Sequence, residues 1–248
     1  MYISQHSEFI LTPLIRILKD GIAACRAIGS GIDSYPMGEY LMQSLFLKMT
    51  GAQEQKMKCI CWELATQDYD YRYEFLNKKY GECSTYSSKN NIFNDLIEII
   101  RKENPSFAPS SLIDMSFCTD VLNEIDTLYR NSVLCIWQSR EYQFYKTHYS
   151  SFLNFNQIKY PPGINSYQLF QSPLKAKYEE LVYRHRNRCA HNTLSYQINK
   201  PDLKVLASSD FGYHSYFFRF AILILIDEIF MKLFQVYIDL QNTKYSNL

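Results

Sequence analysis

The segment SYFFRFAILILIDEIFMKLFQVYI, residues 215–238, decides the fold class. Its apolar side chains recur at alternating spacings of three and four residues, at Leu223, Ile226, Phe230, Leu233, Tyr237 and Leu240. A second apolar stripe runs beside this one from Ile222 to Val236. A helix that is apolar around so much of its circumference belongs at the centre of a bundle or between subunits. Arg219 and Asp227 interrupt the run, and a bilayer core penalises such charges, so the segment predicts a buried helix rather than a membrane span.

Helical periodicity extends over most of the remaining chain. It predicts helices over residues 7–28, 37–80, 91–103, about 110–148 and 173–192. Gly51 is a candidate break in the second of these helices. Ser110 or Ser111 is the expected N-cap of the fourth helix, and Ser172, followed by Pro173, is the expected N-cap of the fifth. Because no strand pattern or internal repeat is visible, the predicted fold is an all-α helical bundle.

The length of 248 residues suits one large domain, or one domain with appendages. We predict a single all-α domain over 1–248, with an N-terminal helical extension over 1–105 and the bundle core over 110–242. Two long irregular stretches separate the last helices, one over 149–173 and one of about twenty residues after 192. Irregular segments of this length inside a compact domain are usually functional or mobile.

Composition restricts the class of protein. The formal net charge of +1 does not fit a generally basic nucleic-acid coat. Seven cysteines are an odd number, and Cys59 and Cys61 form C-x-C rather than the C-x₂-C pair of a zinc knuckle. Reduced thiols and the lack of a basic-then-apolar leader at the N-terminus favour a cytoplasmic protein. We expect no bound metal, no cofactor and no membrane association.

The second informative segment is YRHRNRCAHN, residues 183–192, with three arginines, two histidines and two asparagines in a near-neutral chain. An imidazole can move a proton at neutral pH, and a guanidinium can hold a phosphate and stabilise charge that develops on its oxygens. No clustered carboxylates lie beside them in sequence, so a metal site is not indicated locally. This inventory suits metal-independent cleavage of RNA, whose 2′-hydroxyl supplies an internal nucleophile. The alternative is a solvated helix end, where cations meet the negative end of the helix dipole.

Within this segment, Arg186-Asn187-Arg188-Cys189-Ala190-His191 resembles the R-x₄₋₆-H motif of the HEPN superfamily. Members of this superfamily are α-helical bundles, and many are ribonucleases of toxin, CRISPR-associated or abortive-infection systems. The resemblance implies a HEPN-like bundle and a homodimer in which two motif copies form one metal-independent site. It also assigns Arg186 as the phosphate binder, Asn187 as the orienting polar residue and His191 as the proton-transfer residue.

A second alignment of the motif is also open. Arg184 and His191 satisfy R-x₆-H, with His185 in the permitted position after the arginine. We favour Arg186 because Asn187 follows it. Arg184, Arg188 and His185 are then expected to contact the substrate.

The function that the resemblance implies is an endoribonuclease, with a role in growth arrest or antiviral defence. The expected partners are the RNA substrate, a second copy of the chain, and an inhibitor or activator. Two other functions stay open: a HEPN-like module that binds RNA without cutting it, and a helical scaffold that dimerises through its apolar C-terminal helix.

Overall fold

The computed structural model describes residues 4–28, 31–75, 77, 80–158, 167–191 and 203–246. Within these ranges the chain is helical and holds no strand, as the periodicity predicted. The helices are α1 (Gln5–Ile10), α2 (Ile15–Ala24), α3 (Tyr35–Gln67), α4 (Tyr69–Phe75), α5 (Tyr86–Glu103), α6 (Met115–Arg130), α7 (Leu134–Trp137), α8 (Ser139–Phe152), α9 (Ser172–Lys177), a π-helical segment (Tyr178–Arg184), α10 (His185–His191), α11 (Leu203–Leu206) and α12 (Tyr216–Ser246). Short 3₁₀ turns connect several of them.

Helix α12 lies at the centre of the bundle, as its sequence predicted. Every residue from His214 to Asp227 is buried. Helices α3, α5, α6 and α8 and the π-helical segment all pack against α12, so it has apolar neighbours on every side. One continuous hydrophobic core includes residues on both sides of position 105. Among the described residues, no helix is long and apolar enough to cross a membrane.

Two charged side chains of α12, Arg219 and Asp227, lie inside this core, and each has a partner. Arg219 donates its Nε–H to the carbonyl oxygen of Leu181, at 2.9 Å, and burial lowers its pKa to about 10. Asp227 accepts hydrogen bonds from Nζ of Lys56 and from the backbone N–H of Leu14, both at 2.6 Å. Such partners are necessary because an unpaired buried charge is very costly. These contacts tie α12 to α3 and to the N-terminal helices.

The N-terminal helices differ from the prediction at their breaks. The expected helix over 7–28 is two helices, because Pro13 lacks an N–H donor and disfavours helical geometry at the residue before it. The expected break at Gly51 does not occur, and α3 continues for 33 residues. One glycine lowers the stability of a helix, but packing on both sides of α3 contributes more than this loss. The chain breaks instead at Asp68, whose carboxylate accepts the N–H of Tyr71.

The prediction of one continuous helix over 110–148 was also wrong. The N-cap of α6 is Asp114, which accepts the N–H of Phe117 at 2.8 Å, rather than Ser110 or Ser111. The chain leaves α6 at Asn131, and α7 and α8 follow as separate helices. A short polar residue such as Asn, which favours helix ends, explains this break.

The start of α9 and the two irregular stretches were also predicted. α9 begins one residue earlier than expected, with Gln171 at the N-cap and Ser172 as its first residue. The centre of the irregular stretch over 149–173, at 161–163, lies outside the described residues, as does most of the loop that follows His191.

Candidate active site on the 172–191 helix

The motif lies at the end of a continuous helix, residues 172–191, that we call the motif helix. Its first six residues are α-helical, the next seven are π-helical, and His185–His191 return to α-helix. π-helical turns are rare and are frequently found at functional sites. Here the π-helical segment contains Leu181, whose carbonyl oxygen accepts a hydrogen bond from the buried guanidinium of Arg219. The central helix α12 therefore fixes the motif helix just before Arg186.

The side chain of Arg186 is held at two points. Its Nη1 donates to Oδ1 of Asn187 at 3.3 Å, and its Nη2 donates to Oε2 of Glu54 on α3 at 3.0 Å. These two contacts use two of the five N–H groups of a guanidinium. The side chain is partly buried, and Glu54 is almost fully buried. The neighbouring amide and the carboxylate together set the direction of the cation.

Glu54 and Arg186 belong to a polar cluster that the sequence analysis missed. Lys89 on α5 is buried, and its Nζ donates to the carbonyl oxygen of Cys83 at 2.6 Å. Burial lowers the pKa of Lys89 to about 8; the positive charge of Arg186 lowers it further, while Glu54 acts in the opposite direction. Gln53 is fully buried, and its Oε1 has no hydrogen-bond partner.

These side chains surround a cavity of about 10 Å³, which is close to the smallest volume that admits one water molecule. A sequence signal for this cluster exists. Gln53 occupies a position in the apolar stripe of α3 between Met49 and Ile60, where a polar residue requires a buried partner.

His191 and Arg186 do not share a face of the motif helix. His191 is exposed and is the last residue of α10. Five positions of regular α-helix separate the two residues, a rotation of about 140°. Since Arg186 reaches inward to Glu54, His191 points to a different side. A single copy of the chain therefore does not bring the imidazole and the guanidinium together through α10 alone.

His185 is a core residue, which contradicts the expectation that it contacts the substrate. It is buried, its ring lies 5.2 Å from that of Phe46, and its Nε2 is 3.3 Å from the hydroxyl of Tyr216 and 3.4 Å from Sγ of Cys189. Burial lowers its pKa strongly, and the nearby positive charges of Arg219 and Arg188 lower it further. A neutral, enclosed imidazole cannot reach an RNA strand. In the alternative motif, which begins at Arg184, the residue after the arginine is His185. That residue is buried in the core and does not face a substrate.

The two remaining arginines differ in their surroundings. Arg184 is exposed. Arg188 is half-buried, and its Nε is buried without a hydrogen-bond partner. The motif helix thus presents Arg184 and His191 to solvent, Arg186 to α3, and His185 to the core.

Comparison of this chain with protein-family models, with curated proteins and with solved structures finds no match. Among the described residues, no group of three or more histidine, cysteine, aspartate or glutamate side chains is placed to hold a metal ion.

Proposed function

We propose that this chain is a cytoplasmic, metal-independent endoribonuclease of the HEPN type that acts as a homodimer. The observation that carries the proposal is the contact of Asn187 with Arg186, at 3.3 Å, beside an exposed His191 on the same short helix. An amide that orients an arginine and an accessible imidazole are the parts that the R-x₄-H motif requires. By the same resemblance, we place the reaction in growth arrest or antiviral defence.

In the proposed reaction, the 2′-oxygen of one ribose attacks the adjacent phosphorus, and the bond to the 5′-oxygen breaks. His191 takes the proton from the 2′-hydroxyl, and a second His191 gives a proton to the departing 5′-oxygen. Arg186 uses its remaining N–H groups to stabilise the charge on the pentacoordinate phosphorus. The products are a 2′,3′-cyclic phosphate and a 5′-hydroxyl.

A dimer resolves the different directions of the two motif residues. If two motif helices meet across a two-fold axis, His191 of one copy can approach Arg186 of the other. Arg184, exposed one turn before Arg188, would then lie at the edge of the shared site and contact the flanking phosphates.

The test is incubation of the purified chain with a pool of tRNA and mRNA in EDTA, followed by analysis of the product ends. We expect cleavage in chelator with cyclic phosphate ends, and its loss in both Arg186→Ala and His191→Ala. His6→Ala is the matched control, because His6 is a partly exposed histidine that pairs with Glu63 away from the motif. Cleavage that His191→Ala leaves unchanged would overturn the assignment.

A mixing experiment tests the composite site separately. The double variant, Arg186→Ala with His191→Ala, is mixed with the parent chain, so that each mixed dimer keeps one intact copy of the motif. A site formed between copies needs residues of both copies, and we therefore expect the mixed dimers to be inactive. Mixed dimers that form and keep half of the parent activity contradict the composite site.

One observation favours a second candidate function. Arg186 is already paired with Glu54 at 3.0 Å, as expected of a HEPN-like module that binds RNA or a regulator without cutting. This alternative predicts RNA binding that survives His191→Ala and no cleavage by any form of the chain.

A further inference from the structure

A second, larger cavity lies between α3, α4 and the turn before α5, and we call it the α3–α4 pocket. Its volume is about 530 Å³, within the usual range of about 300–1,000 Å³ for small-ligand sites. The residues that matter for recognition are three aromatic side chains and two cations, namely Trp62, Phe75, Tyr80, Lys58 and Arg72.

The aromatic side of the pocket combines an exposed ring with fixed ones. The side chain of Trp62 is exposed, with 65% of its surface in contact with solvent, which is unusual for so large an apolar ring. Phe75 and Tyr80 lie with ring centroids 5.5 Å apart, and the hydroxyl of Tyr80 donates to the carboxylate of Asp95. Asp95 therefore holds the Tyr80 ring in place before any ligand arrives. Such rings form a platform for a flat aromatic molecule.

Among the described residues, the charged side chains that line the pocket are the cations Lys58 and Arg72. Nζ of Lys58 pairs with the carboxylate of Glu82, an exposed residue, so an anionic ligand competes with Glu82 for Lys58. The guanidinium of Arg72 lies 5.7 Å from the ring centroid of the exposed Tyr69. An anionic group is therefore the complementary occupant of this edge.

The backbone at the rim is strained, which is a feature of ligand sites. Gly81 and Cys83 both have left-handed backbone angles, with φ of +56° and +58°. Cys83 is not a glycine, so its conformation has a cost that surrounding contacts must offset. The hydrogen bond from Lys89 to the carbonyl oxygen of Cys83 is one such contact, and it links the rim to the polar cluster around Arg186.

We propose that the α3–α4 pocket binds a nucleotide, with the base against Trp62, Phe75 and Tyr80 and the phosphate at Lys58 and Arg72. The nucleotide is either a free molecule or one unit of a single-stranded RNA. The second source rests on the proposed function, and the geometry suits it. Lys58 lies one helical turn beyond Glu54 on α3, so a strand with one phosphate at Arg186 can extend toward the pocket.

Intrinsic fluorescence reports directly on this pocket, because the chain has two tryptophans and Trp137 is buried. The experiment titrates the His191→Ala chain in EDTA with adenosine monophosphate and with a six-residue oligoadenylate, so that no RNA is cut. We expect a saturable change in Trp62 emission with at least one of the two ligands. Trp62→Phe removes this signal. Binding by the oligonucleotide alone identifies a strand as the source, and comparable binding by the monophosphate identifies a free nucleotide.

Three variants test the role of the cations, with affinity measured by calorimetry. Arg72→Ala and Lys58→Ala should each weaken binding about tenfold, because each removes a charge-assisted contact with phosphate. Lys48→Ala is the matched control, since Lys48 is an exposed lysine on α3 outside the pocket, and it should leave the affinity unchanged. The proposal is overturned if neither ligand changes Trp62 emission, or if both cation variants bind as tightly as the parent chain. Absence of RNA cleavage affects only the proposed function.

Discussion

Replacing Glu54 with glutamine tests whether Arg186 is free to hold a phosphate. The glutamine keeps the shape of the side chain and an oxygen that accepts a hydrogen bond, but it removes the negative charge 3.0 Å from the guanidinium. In the parent chain, a phosphate must compete with this carboxylate for Arg186. We therefore expect Glu54→Gln to bind single-stranded RNA more tightly than the parent chain.

The size of the effect follows from the distance and the burial of the pair. Two unit charges 3.0 Å apart attract by about 5.5 kcal/mol at an effective dielectric constant of 20, which is an upper bound. Arg186 retains 26% of its side-chain exposure, so water screens part of this attraction. Charge-assisted hydrogen bonds contribute about 1.5–3 kcal/mol in measured cases. A net effect of about 2 kcal/mol corresponds to about a thirtyfold lower dissociation constant.

The assay is fluorescence anisotropy of a labelled single-stranded oligonucleotide, at one fixed salt concentration because phosphate contacts depend on salt. All variants carry His191→Ala, so that the RNA stays intact. Glu63→Gln is the control, since Glu63 is another buried carboxylate on α3, bonded to Ser4 rather than to an arginine. The tighter binding should disappear when Arg186→Ala is added to Glu54→Gln. Weaker or unchanged binding by Glu54→Gln would refute the competition and would make Glu54 a positioning partner of Arg186.

Three further variants probe the charges and the imidazole in the core. Asp227→Ala should lower the free energy of unfolding by about 3–5 kcal/mol in denaturant titrations, because Lys56 loses its buried counter-charge; a loss below about 1 kcal/mol would contradict the pairing. Burial raises the pKa of Glu228 to about 7 from an ordinary value near 4.5, so the folded chain holds this proton more tightly, and stability falls as pH rises through that window. Glu228→Gln should therefore stabilise the protein by about 1–2 kcal/mol at pH 8 but not at pH 4, and a gain that does not depend on pH would contradict this sign. His185→Ala should cost about 1–3 kcal/mol and leave the RNA affinity of the folded protein unchanged, whereas a selective loss of affinity would return His185 to the site.

The periodicity of apolar residues was sufficient to predict the helical class and the central position of α12. It was insufficient for helix boundaries, which depend on local competition between backbone and side chain. Asp114 caps α6 because its carboxylate reaches the N–H of Phe117, and Ser110 or Ser111 looked equally suitable in the sequence. Gly51 did not break α3, since packing against α1, α5 and α12 stabilises a helix that propensity alone would weaken.

For the site, the sequence did not predict where the side chains of the motif point. The π-helical segment before His185 is not visible in the apolar pattern, and it contributes to the direction of every side chain that follows. The ion pair of Arg186 with Glu54 joins residues 132 positions apart, a distance over which no sequence spacing is informative. His185 is the clearest example, because two histidines six positions apart have opposite environments.

The density of cations and imidazoles in residues 183–192 therefore has no single cause. The short helix meets α12 on one side, α3 on another and solvent on the third, and each side takes its own polar residue. His185 packs in the core, and Arg186 pairs with Glu54. His191 is exposed at the end of α10. The proposed proton transfer in a site shared with a second copy needs an exposed His191, and for this reason the mixing of the parent chain with the double variant is the decisive experiment on the composite site.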